Sequence, residues 1–172
     1  MTVTTRLMAV TDAAELAALL KANREFLAPF EPARSPEYFT VNGQRMVIAE
    51  MLRQRATGST VPHLIVEHDR IVGRIVLSAI ARGPFQSGSL GYWVAADVNG
   101  RGVASAAVAH LARLAFGELG LHRIEAGTLV HNLGSQRVLE RNGFRRYGLA
   151  PRYLKIAGEW QDHVLFQLLN PA

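Results

Sequence analysis

Asn99-Gly100-Arg101-Gly102-Val103-Ala104 is the stretch on which the reading of this chain turns. Before it runs a strand-like segment, Ser89-Leu90-Gly91-Tyr92-Trp93-Val94-Ala95, and after it comes an apolar-periodic helix, Ser105 to Leu119. A strand, a glycine-containing turn and a helix start together make an anion site. Glycines let the backbone approach a ligand, and first-turn N–H groups have no intrahelical partner. The helix dipole adds a preference for phosphate or pyrophosphate. An ordinary strand-to-helix turn with glycine caps would use the same residues.

Two phosphate motifs are excluded. A P-loop needs Gly-Lys-Ser/Thr at the helix start, and no lysine stands here. A dinucleotide fingerprint needs a further glycine and an early βαβ position, whereas this turn lies past the middle of the chain.

About thirty residues on comes Asn132-Leu133-Gly134-Ser135-Gln136-Arg137-Val138-Leu139-Glu140-Arg141-Asn142-Gly143-Phe144. This segment resembles the second signature of the GNAT N-acetyltransferases, an Asn-x-x-Ser helix closing in Gly-Phe. The earlier turn resembles their Gln/Arg-x-x-Gly-x-Gly/Ala loop, with Gly102 and Ala104 in the small positions and Asn99 departing from Gln or Arg. Three further segments resemble the RimJ-type ribosomal-protein alanine N-acetyltransferases within that superfamily. They are Asn23 to Pro32, His122 to Ala126, and the closing stretch with Tyr153-Leu154-Lys155, Gly158, Trp160 and Asp162 to Leu165.

The pattern of elements points the same way. Arg6 to Val10 reads as a strand, and Asp12 with Glu15 three residues on opens a helix to about Asn23. Ser35 and Pro36 open a second helix running to about Arg55. Val61 to His68, Ile71 to Ala81 and Ser89 to Ala95 form a strand meander, the first two joined by a tight Asp69-Arg70 turn. Arg123 to Val130 is a strand and Leu133 to Asn142 a helix, ended by Gly143 in left-handed conformation. Phe144 to Tyr153 and His163 to Leu169 complete the sheet around Ala157-Gly158. The order β-α-α-β-β-β-α-β-α-β-β describes an α/β mixed sheet covered by helices, the GNAT order, as one domain over residues 1–172.

Composition narrows the function. Hydrophobic residues at 49% and charged residues at 19% suit one globular, cytoplasmic enzyme domain. No apolar run reaches the roughly 18 residues of a membrane helix, and with no cysteine there is no disulfide, thiol nucleophile or cysteine metal site. The net charge is +5, and Lys21 and Lys155 are the only lysines, so arginine carries nearly all the positive charge. Such a surface suits an anionic coenzyme. The arginines form no run interleaved with aromatics, so no direct nucleic-acid contact is expected. The six histidines lack ligand spacing, so no metal is expected either.

The resemblance implies acetyl transfer from acetyl-CoA to an amine by direct attack. It implies that the backbone of Trp93, Val94 and Ala95 pairs with the pantetheine arm, one N–H polarising the thioester carbonyl. The loop Asn99, Gly100, Arg101, Gly102, Val103 and Ala104 would hold the pyrophosphate. Asn132 would touch the coenzyme, and Arg101 and Arg141 would meet phosphates. Ser135 matches a hydroxyl near the coenzyme sulfur, able to protonate the leaving thiolate. Glu31 is the first candidate base or substrate-orienting group, with Glu125 and the strand-end His131 behind it. Glu125 would reach the site between splayed strands, or else pair with an arginine. Tyr38, Phe39, Trp160 and Asp162 match the acceptor end.

The acceptor sets how strong a base is needed. An α-amino group, with a pKa of about 7.7–8.0, is roughly one-tenth neutral at pH 7. A lysine amine at about 10.4 needs about 3.5 kcal/mol more. No unmistakable base stands in the matched motifs, so the expected acceptor is a protein N-terminus, as on a ribosomal protein beginning with Ala or Ser. Such an enzyme would work as a monomer or homodimer. The competing expectations are an acetyltransferase of a small-molecule amine or antibiotic, and a coenzyme-binding regulatory module without turnover.

Overall fold

The computed structural model describes residues 2–172. β1 (Val3–Leu7) leads through a 3-10 turn into α1 (Ala13–Ala22), short α2 (Arg24–Leu27) and α3 (Val41–Ala56). A meander follows: β2 (Val61–Glu67), β3 (Arg70–Ala81) and β4 (Ser87–Val94). Then come α4 (Val103–Gly117), β5 (Arg123–Leu129), α5 (Leu133–Arg141), β6 (Arg145–Ile156) and β7 (Glu159–Leu169). The seven strands form one sheet in the order β1-β2-β3-β4-β5-β7-β6.

Helices cover both faces, and neighbouring strand residues show it. Leu64 packs with Met8, Leu16, Leu20 and Ile48, from the α1 and α3 side. Ile65, next along β2, packs with Val108, Leu111 and Ala115 of α4. Successive strand side chains point to opposite faces, so one dipeptide serves both cores. α4 buries Val103, Ala107, Val108, Leu111, Ala112 and Ala115, a stripe at helical spacing.

One relationship positions the site. β4 and β5 are parallel and paired at three positions only, Ser87 with Arg123, Gly88 with Ile124 and Ser89 with Glu125. Beyond Ser89 the strands part. β4 runs on beside β3 as far as Val94, while β5 keeps β7 as partner through Leu129 and His163. The sheet therefore forks in its middle.

Three expected elements differ. The first strand lies at Val3–Leu7 rather than Arg6 to Val10, because Asp12 draws Arg6 into a two-pronged ion pair at 2.8 and 2.9 Å. Asp12 does not cap α1 with its side chain: Oδ2 accepts from Ala9 N at 2.7 Å, and Glu15 Oε1 accepts from Ile71 N at the start of β3. The helix expected from Ser35 is instead a 3-10 turn, Pro36–Phe39, followed by α3. Thr40 makes the break. In extended conformation, its hydroxyl donates to Glu37 O at 2.7 Å and accepts from Gly43 N at 3.0 Å, closing one helix and capping the next.

Candidate active site at the fork of the sheet

β4 offers free donors where β5 has left it. Ala95 N donates to Val72 O at 2.8 Å, in register with the Gly73–Val94 pair. Bonding alternates along an antiparallel ladder, so the Trp93 and Ala95 N–H groups face β3. The Tyr92 and Val94 N–H groups face the fork. Of the three backbone positions expected to meet the coenzyme, only Val94 aims its N–H there, and the Ala95 N–H is spent inside the sheet.

Beyond β4 the chain turns through Gly100 and Gly102, with φ of 77° and 84°. Gly102 is the N-cap of α4 in left-handed conformation and supplies no side chain. The first N–H to find a helical acceptor is that of Ala106, on Gly102 O at 3.0 Å. The amides of Val103, Ala104 and Ser105 are left for a ligand. They open on a cavity of about 390 Å³ that is also lined by Arg137 and Arg141. These two arginines lie four apart on α5, hence on one face.

α5 closes the fork from the other side. Asn132 caps it, accepting from Ser135 N at 3.2 Å. Ser135 Oγ lies 2.8 Å from the Tyr92 hydroxyl, which also donates to Ser135 O at 3.2 Å. Burial pushes the Tyr92 phenol up to about 12, against the opposing pull of its bond to Ser135. It therefore stays protonated at neutral pH and able to donate.

A second cavity, about 420 Å³, lies across this pair. Both cavities are lined by Leu27, Phe30, Tyr92, Trp93, Asn132 and Ser135. Two chambers meeting at one hydroxyl pair are the geometry of group transfer: donor on one side, acceptor on the other. The second chamber holds Glu31, Arg74 and His163. Burial raises the Glu31 carboxyl above its ordinary value, while Arg74 and Arg34 pull it back. His163 is buried, and its Nδ1 lies 3.0 Å from Gln161 O.

A family profile described as "Acetyltransferase (GNAT) domain" matches residues 3–145. The chain belongs to the GNAT acetyltransferase family. It is 40% identical over 173 residues to the "Probable N-acetyltransferase YjcK" of Bacillus subtilis, covering 99% of this chain and 95% of that one. To the [ribosomal protein uS5]-alanine N-acetyltransferase of Escherichia coli it is 33% identical over 168 residues, 96% of this chain and 87% of the relative. Among solved structures, Mycobacterium smegmatis RimJ in complex with CoA-disulfide superposes with a TM-score of 0.94 at 31% identity. That match covers 97% of this chain and 81% of the other. The protein is thus an acetyl-CoA-dependent N-acetyltransferase with the RimJ-type fold. The open amides of α4, the free Val94 N–H and the two arginines fit a long phosphorylated thioester.

The GNAT fold brings most of the expected residues to the two chambers. Asn99, Gly100, Gly102, Val103, Ala104, Asn132 and Arg141 line the donor chamber with Trp93 and Val94. Ser135 lies at the junction and Glu31 in the acceptor chamber. Arg101 turns away, its guanidinium 3.2 Å from Glu67 Oε1, a carboxylate that is 3% exposed and claims the charge. Glu125 lines neither chamber: it accepts from Arg123 Nε at 2.9 Å and from Tyr147 at 3.1 Å. His131 is exposed beside Phe30 and lines neither chamber. Of the aromatics, Tyr38 is buried against Arg74, and Phe39 borders a third cavity with Glu31. Trp160 stands 60% exposed, and Asp162 accepts from Arg152 N in the hairpin. Tyr92, Arg74, His163 and Arg137 also line the two chambers and were not among the candidates read from the sequence. Arg137 had a readable sign in its spacing of four from Arg141. Among the described residues no cluster of three His, Cys, Asp or Glu side chains is placed to hold a metal ion, and no helix is long and apolar enough to cross a membrane.

Proposed function

We propose that this enzyme acetylates the α-amino group of a protein N-terminus, with a ribosomal protein beginning with Ala or Ser as the expected target. The observation that carries the reading is the acceptor chamber: one partly buried carboxylate, Glu31, with its basicity raised by burial and moderated by two arginines. An α-amine needs about 3.5 kcal/mol less help than a lysine amine to become nucleophilic, so a chamber with one carboxylate favours it. The uS5-alanine acetyltransferase relative, similar over nearly the whole chain, supports the ribosomal target.

In this mechanism the ammonium enters beside Glu31 and yields its proton there. The neutral nitrogen attacks the thioester carbonyl across the junction. Val94 N–H donates to the carbonyl oxygen as negative charge gathers on it, the role of an oxyanion hole. The N–C bond forms and the C–S bond breaks; the sulfur takes a proton from the Ser135–Tyr92 pair, and the second proton shed by the attacking nitrogen is returned to that pair through solvent. A thiol pKa near 8.5 makes this last donation undemanding.

Thiol release over a panel of substrates tests the reading. Peptides with free N-terminal alanine or serine should react far faster than N-blocked lysine peptides or aminoglycosides. The rate should climb toward pH 8 and then level, following the amine. Equal or faster transfer to lysine or to an aminoglycoside would overturn the assignment.

A further inference from the structure

Arg74 stands at the middle of β3 and is 8% exposed, yet among the described residues it takes part in no ion pair. Its Nη2 donates to the Tyr38 hydroxyl at 3.1 Å, and its Nη1 has no partner. Trp93 faces it directly across the β3–β4 ladder, so both side chains lie on one face of the sheet. The Trp93 Nε1 is likewise buried without a partner, as is Thr128 Oγ1. All three residues line the acceptor chamber.

Buried polar atoms are nearly always hydrogen-bonded, and an unmatched guanidinium is the costliest exception. Two of these three atoms can only donate. The chamber therefore presents unmatched donors that suit an oxygen acceptor brought by a ligand. On the same chamber wall Glu31 supplies the opposite need, a carboxylate suited to an ammonium. It feels the Arg74 charge without pairing to it.

We propose that Arg74, flanked by Trp93, is the specificity residue that binds the carbonyl oxygen next to the acceptor amine, while Glu31 binds the amine itself. An α-amino acid residue offers both groups, nitrogen and carbonyl separated by one carbon. A lysine side chain and a simple alkylamine offer only the nitrogen. The inference rests on the α-amine reading above and explains how such an acceptor is selected as well as why it is easier to activate. It also predicts that the acceptor's own first peptide bond, rather than its side chain, supplies much of the recognition.

The test compares Arg74→Met, which keeps the apolar stem, with Arg74→Lys, which keeps the charge. The substrates are an alanine-initiated peptide and 2-aminopropane, which retains the amine and methyl and lacks the carbonyl. Arg74→Met should lose roughly 10- to 100-fold in kcat/KM on the peptide, chiefly through KM, as expected for one charge-assisted hydrogen bond. It should keep wild-type coenzyme A affinity by calorimetry and lose far less rate on 2-aminopropane than on the peptide. Arg74→Lys should recover part of the loss. An unchanged peptide KM, an equal loss on both amines, or a parallel loss of coenzyme affinity would overturn the anchor. A wild-type enzyme inactive on alanine peptides would instead retire the α-amine reading, so the two failures are told apart.

Discussion

The Tyr92 hydroxyl sits 2.8 Å from Ser135 Oγ, and these two side chains form the wall shared by the donor and acceptor chambers. One comes from the free edge of β4 and the other from the first turn of α5, so the proposed proton donor straddles the fork. Tyr92→Phe and Ser135→Ala should each lower kcat about tenfold, since a thiol needs only weak acid assistance. The double variant should be little worse than either single one, because the pair acts as a unit. Stopped-flow thiol release with coenzyme affinity measured alongside checks this; strictly multiplicative losses would mean the hydroxyls act separately.

Gly102→Val should abolish acetyl-CoA binding while leaving a folded domain. At φ 84° a β-branched residue is strained by about 1–3 kcal/mol, which a protein of ordinary stability survives. Relieving the strain re-aims the Val103 and Ala104 amides. Calorimetry for affinity and circular dichroism for fold decide it, and unchanged affinity would place the pyrophosphate elsewhere.

Glu31→Gln should cut turnover on alanine peptides roughly 10- to 100-fold. Burial raises the carboxyl above its ordinary value, so its role as a base is lost as pH falls through that raised pKa. The kcat profile of the wild type should carry this acid limb, and the Gln variant should lack it. A limb that survives the substitution would belong to another group.

His63 gives a stability prediction away from the site. Its Nδ1 lies 3.1 Å from Thr5 Oγ1, and burial, with His110 and Arg55 nearby, pulls its pKa down to about 4. The folded pKa lies below the unfolded value of about 6.5, so between these limits the unfolded chain binds the extra proton. Stability from this group is complete above about pH 6.5 and is lost as pH falls toward 4. Allowing for solvent screening, up to about 2 kcal/mol is at stake. His63→Gln should flatten the pH dependence of Tm across that window; an identical slope would exclude the histidine.

The turn and helix start that open the first chamber were legible in the sequence because they are features of the backbone. Gly100, Gly102 and the apolar run after them announce a turn and a helix start, and open amides need no side chain to identify them. The helix opening at Asn132 was legible for the same reason. The acceptor half was not, because its residues meet through register. Arg74 reaches the chamber opposite Trp93 only once β3 and β4 are aligned, and His163 only once β7 pairs with β5. Glu125 stayed open between the site and an arginine because strand periodicity assigns a face and leaves open which neighbour claims the charge; here Arg123 and Tyr147 do. Arginine within Ile-Val-Gly-Arg-Ile-Val was nonetheless a signal, since a central strand rarely buries a lone cation without a use for it.

Ala157 N, at the turn between β6 and β7, donates to Glu31 O at 2.9 Å. That bond makes the last hairpin a handle on the acceptor carboxylate. Lengthening or shortening the hairpin would shift Glu31 relative to Arg74 while leaving Gly102 and Asn132 untouched. On the proposed reading, editing this surface turn would retune which amines are accepted and leave the thioester half intact.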